Sequence, residues 1–458
     1  MSLSRRSFAA TLAAPLLGAQ PDAWQQMAEI LKRIRPPQFP ARDFPIARFG
    51  AAANGKADCT AAFEKAIAAC VAAGGGRVVV PEGVFLTGPI HLRSNVNLHL
   101  LKGSVVKFVQ DPARYLPVVF TRWEGMECMN YSPFVYADRQ KNIAITGEGT
   151  LDGQSDAAHW WPWKGRAEYG YKRGDPQQAK ARALLAEMVE KDVPVEQRVC
   201  GEGSYLRPQF IQPFRCENVL IEGVTIINSP MWEIHPLLCR NVTVRGVKVN
   251  SHGQNNDGCD PESCTDVLIE NCLFDTGDDC IAIKSGRNRD GRRVAMPSEN
   301  IIVHHCEMKD GHGGVTIGSE ISGGCRNVFI EDCRMDSPNL DRVLRLKTNS
   351  VRGGFIENVY LRNVTVGQVA DAAIHIDFLY EEGDTGKFPP TVRNIDVVNL
   401  RCRKMKSVIY ARGYANAPIR DIRLKDCVFE SAAEADTLEH VEGLTMANVL
   451  VNGKLTRR

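Results

Sequence analysis

Six residues between positions 257 and 347 carry side chains that move protons or hold anions: Asp257, Asp278, Asp279, His312, Arg345 and Lys347. Crowded carboxylates raise one another's proton affinity, so that one can stay protonated while its partner is ionised. An acid and a base facing one bond are what glycoside hydrolysis requires. An arginine and a lysine would suit a substrate that bears carboxylates. Each Asp alone is typical of a solvated turn, whereas the assembled set points to a functional site.

These residues lie within a repeat that must position them. The pattern Asn-Val-Leu-Ile-Glu-Gly-Val at 218–224 recurs, with substitutions, from residues 241, 266, 300, 327 and 358, and more weakly from residues 394 and 421. The successive start positions are separated by 23, 25, 34, 27, 31, 36 and 27 residues. A period of this size with occasional insertions is typical of the coils of a solenoid.

Two columns of the repeat predict how each coil folds. The turn column holds mostly glycine, asparagine and aspartate, which tolerate a left-handed backbone, at Gly223, Gly246, Asn271, His305, Asp332, Asn363, Asn399 and Asp426. The next column is apolar or thiol, at Val224, Val247, Cys272, Cys306, Cys333, Val364, Leu400 and Cys427. We expect these cysteines to lie in the core as free thiols. The pattern predicts an all-β fold, a single-stranded right-handed parallel β-helix with short N-terminal helices.

The same repeat brings the reactive residues together. Asp278 and His312 both stand 12 residues after the start of their coils, and Asp257 precedes Asp278 by 21 residues, about one coil. Neighbouring coils lie about 4.8 Å apart, so these groups should be neighbours. In the strands 281–284, 315–318 and 344–347 the second and fourth residues must face outward. We therefore expect a shallow floor at Thr316 and Gly318, with Arg345 and Lys347 on one side.

Composition excludes several other classes of protein. The chain has 458 residues, with 56 Lys and Arg against 54 Asp and Glu, and a net charge of +2. Nucleic-acid binders normally show a clear basic excess, so we expect no nucleic-acid partner. No stretch approaches the ~20 apolar residues of a membrane span, so we expect no membrane partner. The 15 cysteines are an odd number, which rules out complete disulfide pairing within one chain.

Three segments are predicted along the chain. Residues 1–19 resemble a twin-arginine export signal, because Arg5 and Arg6 precede a short apolar run that ends in small residues. We therefore expect a periplasmic or extracellular location. Residues 20–44 form an N-terminal helix and linker, and 45–458 form the β-helix, with an insertion at 154–206. Helices are expected at 22–35, 58–73 and about 176–192.

The insertion carries Trp160, Trp161 and Trp163 and interrupts the coil rhythm. Aromatic faces can stack on sugars, and a large loop can close one end of a cleft. The alternative is a hydrophobic plug against the side of the solenoid.

Four short motifs carry a family resemblance. Asn255-Asn256-Asp257, Gly277-Asp278-Asp279, Gly311-His312-Gly313 and Arg345-Leu346-Lys347 resemble the four signature motifs of the polygalacturonase family of pectin-degrading glycoside hydrolases. Asn256 departs from the pattern, since the family usually has Thr there. Segments 147–153 and 229–232 also resemble the family, so that the likeness covers most of residues 45–450.

The resemblance implies an inverting hydrolase acting on α-1,4-linked galacturonate, with an acidic polysaccharide or oligogalacturonide as its partner. It implies that Asp278 is the general acid, that Asp257 and Asp279 activate water, and that His312 tunes the acid. Substrate-binding roles fall to Asn255, Arg345, Lys347 and Tyr380. For Tyr380 a purely structural role, anchoring its loop near Phe378, is an equal alternative. We expect no cofactor, no metal and a monomer.

Other functions remain open at this point. Loop insertions leave undecided whether the enzyme acts from chain ends or within chains, and whether rhamnogalacturonan or xylogalacturonan is the substrate. A pectate lyase would share the fold but would need calcium and a basic residue that abstracts a proton. A non-catalytic carbohydrate-binding β-helix is the third alternative.

Overall fold

The structure is a computed structural model that describes residues 22–457. From Asp43 onward, short strands stack coil upon coil. Within the coils each strand pairs in parallel with the strand one coil later, except that the last strand, Lys454–Thr456, pairs antiparallel with Val449–Val451. The coils form a right-handed parallel β-helix with three faces. This confirms the fold class predicted from the repeat.

The first two faces are continuous along the solenoid. The first face contains Asp43–Pro45, Gly76–Val80, Val96–Leu100, Lys141–Gly147, Glu217–Glu222, Arg240–Arg245, Thr265–Glu270, Ser298–His304, Cys325–Glu331, Ile419–Lys425, Val441–Glu442 and Thr445–Ala447. The second face contains Asn54–Asp58, Gly83–Thr87, Ser104–Phe108, Thr150–Asp152, Thr225–Ile227, Lys248–Ser251, Leu273–Thr276, Glu307–Met308, Arg334–Met335, Val428–Ala432, Val449–Val451 and Lys454–Thr456. Two long strands, Phe355–Gln368 and Thr391–Met405, bend from the first face into the second.

The third face carries the strands on which the predicted site depends. Its strands are Ile90–His91, Val135–Asp138, Ile211–Phe214, Ile281–Ile283, Val315–Ile317, Leu344–Lys347, Ala372–Asp377, Ser407–Arg412 and Thr437–Glu439. Single bridges at Ile234 and Cys259 connect the strand ending at Phe214 to the strand beginning at Ile281. The face therefore runs unbroken beneath the site.

The interior is apolar, as the repeat predicts. The column that begins at Val224 and ends at Cys427 is buried throughout. All 15 cysteines are buried free thiols, which confirms their expected place in the core. The turn column that begins at Gly223 has positive φ at all eight positions, which confirms the predicted left-handed corner.

The first residue of each repeat forms a ladder that the sequence analysis did not predict. These residues have φ between 56° and 62°, and the side-chain amide of each Asn donates to the side-chain oxygen of its neighbour one coil earlier over 2.5 to 3.1 Å, at Asn218, Asn241, Asn300, Asn327, Asn358 and Asn394. Asparagine is well suited because it tolerates the left-handed conformation and both donates and accepts.

In the described part of the chain, four α-helices lie outside the coils: α1 at Ala23–Arg33, α2 at Thr60–Ala72, α3 at Ala179–Glu190 and α4 at Asn288–Val294. The first three fall within the segments predicted as helical, and α4 was not predicted. Helix α2 buries Phe63 and Ile67 over the first coils, and α1 buries Met27 and Ile30 against Leu268 and its neighbours on the first face.

The third face is covered at one end by chain outside the coils. A hairpin of Val119–Trp123 and Met126–Asn130, joined by Val199–Cys200, lies over the coils at residues 211–262. Arg122 of the hairpin donates to Glu262 over 3.0 Å. Helix α3 packs Leu185 and Val189 against the hairpin. The third face is therefore blocked before residue 262, and we call this hairpin and α3 the wall.

The predicted export signal at 1–19 lies outside the described residues. Between residues 22 and 457 no helix is long and apolar enough to cross a membrane.

The ladder makes a testable prediction at Asn327, which donates to Asn300 and accepts from Asn358. Asn327→Ala should lower the free energy of unfolding by about 3 kcal/mol, because it loses two hydrogen bonds and puts a residue that tolerates the left-handed region less well than asparagine at φ 58°. Asn327→Gly loses only the hydrogen bonds and should cost about 1 kcal/mol less. Equilibrium denaturation in urea measures both. Equal destabilisation by the two variants would contradict the conformational role of Asn327.

Candidate active site

Strand register sets the spacing of two of the carboxylates. Asp257 and Asp279 each stand two residues before an inward-facing residue, Cys259 and Ile281, and these two residues pair across adjacent coils. The amide of Gly258 donates to the carbonyl of Asp279 over 3.0 Å. One carboxylate oxygen from each of Asp257, Asp278 and Asp279 lies within 4.8 Å of the others. The structure therefore brings the three predicted carboxylates together.

Asp279 is held by three donors from the next two coils. Thr316 Oγ1 donates to Asp279 Oδ1 over 2.8 Å, Arg345 donates to the same oxygen over 3.1 Å, and Lys347 Nζ donates to Oδ2 over 2.8 Å. Burial alone would raise the pKa of Asp279, but Lys347 and Arg345 lower it more, and the net shift is downward. Asp279 is therefore ionised.

The register also explains the glycine after His312. A β-carbon at Gly313 would lie 2.4 Å from Thr316 Oγ1 and 3.1 Å from Asp279 Oδ1. Any other residue would push into the hydrogen bond that holds Asp279. Thr316, expected as part of a floor, is instead buried and orients a carboxylate.

Asp278 pairs with His312. The Nδ1 atom of His312 lies 3.0 Å from Asp278 Oδ1, and the backbone amide of His312 donates to the carbonyl of Asp278 over 3.0 Å. The hydrogen bond to Asp278 and its charge raise the pKa of His312 to about 9. Burial raises the pKa of Asp278, but His312 lowers it more, and the net shift is downward. The pair therefore holds one proton at neutral pH, on the imidazole side.

Asp257 differs from the other two carboxylates. It is buried, and its nearest cation is Lys284, whose Nζ lies 3.7 Å from Asp257 Oδ2. Burial, followed by the charges of Asp260 and Asp278, raises the pKa of Asp257 well above its usual range. The crowding expected from the sequence thus acts mainly on Asp257, and the three carboxylates have different proton affinities.

Asn255 and Tyr380 also lie at the site. The amide of Asn255 lies 3.5 Å from Asp278 Oδ2, and its carbonyl oxygen accepts from Lys164 over 2.9 Å and from Arg207 over 2.8 Å. The Tyr380 ring centroid lies 5.2 Å from Lys347 Nζ and 5.7 Å from the guanidinium carbon of Arg345. The ring therefore covers the two cations and lines the pocket, whereas Phe378 packs on Tyr414.

The site is a polar pocket and not the shallow floor that the sequence suggested. Of the predicted residues, Asn255, Asp257, Asp278, Lys347 and Tyr380 line it. The other lining residues come from the wall, the insertion and the third face with its loops: Glu124, Lys164, Arg182, Trp232, Lys284, Arg287, Ser319, Glu320 and Glu381. The residues missed from the sequence come mostly from segments without periodicity. Lys284 is the exception: its outward direction was predicted, but its ion pairs with Asp257, Asp260 and Glu320 were not.

The tryptophans of the insertion act chiefly as a plug. Trp160 is buried against Tyr115 and Phe134, and Trp163 packs on Trp160. Trp161 is partly buried and donates to the carbonyl of Ser229. The plug fixes the turn Trp161–Lys164, which carries Lys164 to the pocket.

Comparison with known proteins decides the family. The profile described as "Glycosyl hydrolases family 28" matches residues 198–448, which include all four motifs. The chain belongs to glycosyl hydrolases family 28. It is a glycoside hydrolase, and the mechanism that is general for this family inverts the configuration at the anomeric carbon.

Individual relatives agree with this assignment. A solved structure described as a hyperthermoactive exopolygalacturonase from Thermotoga maritima is 48% identical, covers 95% of this chain and 97% of its own, and superposes with a TM-score of 0.92. An exo-poly-alpha-D-galacturonosidase from Dickeya chrysanthemi is 28% identical over 74% of this chain and 57% of its own length. An endo-polygalacturonase from Pectobacterium carotovorum is 28% identical over 72% of this chain and 74% of its own.

The Asp278–His312 pair gives a prediction that needs no substrate. His312 should lose its proton as the pH rises through about 9, because the adjacent carboxylate favours the charged imidazole. In Asp278→Asn the midpoint should fall toward the ordinary value of about 6.5. NMR titration of the histidine ring protons measures the midpoint. Asp275→Asn, a matched change beside His252, should leave the His312 midpoint in place, and an unmoved midpoint in Asp278→Asn would refute the pairing.

Proposed function

We propose that this family 28 enzyme hydrolyses α-1,4-galacturonosidic bonds of pectic galacturonan and releases monomers from chain ends. The observation that carries the proposal is the set of three carboxylates within 4.8 Å, one paired with His312 and another with Arg345 and Lys347. The names of the similar proteins from Thermotoga maritima and Dickeya chrysanthemi support the substrate.

In this proposal Asp278 protonates the glycosidic oxygen. Its proton comes from the Asp278–His312 hydrogen bond, where the imidazole holds it until the leaving oxygen becomes basic. Asp257 and Asp279 activate the attacking water: Asp257, whose pKa is raised, orients it, and the ionised Asp279 accepts its proton. Arg345 and Lys347 would bind a substrate carboxylate with Tyr380 against the sugar, and Asn255 would orient Asp278.

The carboxylate spacing is short for inversion. Inverting enzymes usually separate their two carboxyl groups by about 6.5–9.5 Å, and retaining enzymes by about 5–5.5 Å. The oxygens here come within 4.8 Å, so a spacing rule alone would favour retention. Asp279 is engaged on both oxygens by Thr316, Arg345 and Lys347, which makes it a poor nucleophile. This engagement supports inversion, in agreement with the family.

The wall supports action from chain ends. A polymer that runs along the third face meets the hairpin and α3 directly beyond the carboxylates, with Glu124 and Arg182 in the pocket lining. A blocked cleft accepts a terminus but not the middle of a chain. The chain is also similar to an endo-polygalacturonase from Pectobacterium carotovorum. Internal cleavage is therefore the alternative that an experiment must distinguish from action at chain ends.

Export is a separate proposal that rests on Arg5, Arg6 and the following apolar run. A polymeric substrate too large to enter a cell supports it. Fractionation of cells that express the full chain tests it, since retention in the cytoplasm would contradict export.

Product analysis tests the reaction. Early products from polygalacturonate should be galacturonate monomers alone, and the first anomer seen by NMR should be β, because inversion of an α-linkage yields β. A chelator should leave the rate unchanged, with no unsaturated products absorbing in the ultraviolet. Mixed oligomers would show internal cleavage, an initial α anomer would show retention, and unsaturated products would show a lyase. Absence of product would point to rhamnogalacturonan or xylogalacturonan.

Asp278→Asn tests the acid. Since an amide cannot transfer the proton, turnover should fall at least ~100-fold while oligogalacturonide binding persists. Release of reducing ends and calorimetric titration measure the two quantities. Asp275→Asn is the matched control and should retain turnover. Full activity of Asp278→Asn would refute the assignment and leave a non-catalytic binding role.

A further inference from the structure

Lys164 differs from the other cations that line the pocket. Its Nζ donates to Asn255 Oδ1 over 2.9 Å. Among residues 22–457 it makes no ion pair, because no carboxylate oxygen comes within 4.0 Å of its Nζ. A positive charge that faces a cavity without a counter-ion is unusual, since partly buried charges are normally paired.

The other four pocket cations each pair with at least one carboxylate. Arg182 pairs with Glu124 over 2.6 Å, and Lys347 pairs with Asp279 over 2.8 Å. Lys284 lies among Asp257, Asp260 and Glu320, and Arg287 lies among Glu124, Glu320, Glu381 and Glu382. Among the described residues, Lys164 is therefore the lining cation of the pocket that has no carboxylate partner.

Arg207 adds to this positive corner. It is fully buried, and its donors go to neutral acceptors: Gln178, the carbonyls of Pro230 and Gln254, and Asn255 Oδ1. The side-chain oxygen of Asn255 thus accepts hydrogen bonds from two cations, Lys164 and Arg207. The amide of Asn255 faces Asp278 over 3.5 Å, so the corner lies one side chain away from the proposed acid.

Burial without an ion pair penalises the charged form of Lys164. Burial lowers its pKa, and Arg207 and Arg182 lower it further, while Glu124 and Asp278 act in the opposite direction. An anionic ligand group would remove this penalty on binding and would gain a charge-assisted hydrogen bond.

We propose that Lys164 binds the carboxylate of the terminal galacturonate that enters the blocked end of the pocket, and so selects a uronate over a neutral sugar. This inference rests on the proposed function. The insertion would then block the third face and also recognise the chain end. Arg345 and Lys347 would bind the carboxylate of the sugar on the other side of the scissile bond.

Three dimers test the proposal: digalacturonate and the two dimers in which one carboxyl, at either end, is reduced to the alcohol. The kcat/KM of the wild type should be about 10- to 100-fold lower for the dimer that lacks the Lys164-bound carboxylate. Lys164→Met should lose a similar factor on digalacturonate, and it should match the wild type on that one dimer. This pattern would show direct coupling between Lys164 and one carboxylate.

A purely structural lysine would give another pattern. If Lys164 only holds Asn255, Lys164→Met should lose the same factor on all three dimers, and that result would overturn the proposal. The exposed Lys172 of the same insertion gives the matched control, Lys172→Met, which should behave as the wild type. The melting temperature of Lys164→Met should not fall, because an unpaired charge has been removed and Arg207 still donates to Asn255.

Binding separates this inference from the proposed function. Galacturonic acid titrated into the wild type and into Lys164→Met by calorimetry should bind at least about 10-fold more weakly to the variant. Equal affinity would overturn the role of Lys164 even if the wild type hydrolyses galacturonan. Weaker binding by the variant would support it even if galacturonan is not cleaved, in which case only the proposed reaction fails.

Discussion

In-register pairing of parallel strands is the constraint on which the rest of the structure depends. It sets equivalent residues of neighbouring coils about 4.8 Å apart, so that Asp257 and Asp279 meet although 22 residues separate them. A slip of one residue would exchange the inner and outer columns of a strand, moving Thr316 and Arg345 into the core. The apolar interior and the active site therefore depend on the same register.

The same stacking makes the site electrostatically demanding. Three carboxylates, together with Asp260 and Glu320, are tolerated because each coil also contributes a cation or donor, such as Lys284, Arg345 and Lys347. Small differences in partners then separate the pKa values, raising that of Asp257 and lowering that of Asp279. The three aspartates are chemically identical, and their positions in the stack of coils make their pKa values differ.

The sequence predicted those parts of the structure that follow the coil repeat. The repeat was sufficient for the coils, the buried cysteines and the neighbourhood of Asp278 and His312, because stacking converts spacing directly into proximity. It was insufficient for Lys164, Arg182 and Glu124, which reach the pocket from the insertion and the wall, where no period relates residue number to position. The ladder at Asn327 was visible as a column of asparagines, yet its left-handed backbone was not inferred.

The asparagine ladder also bears on how such an enzyme can diversify. Each hydrogen bond between two asparagines of the ladder aligns a coil with the coil before it, whether the two asparagines are 23 or 36 residues apart in the sequence. Residues inserted between two asparagines of the ladder therefore form a local loop, and the coils that follow keep their position. Evolution or protein engineering can therefore change the length of a loop between two coils without shifting the strand register of the coils that follow.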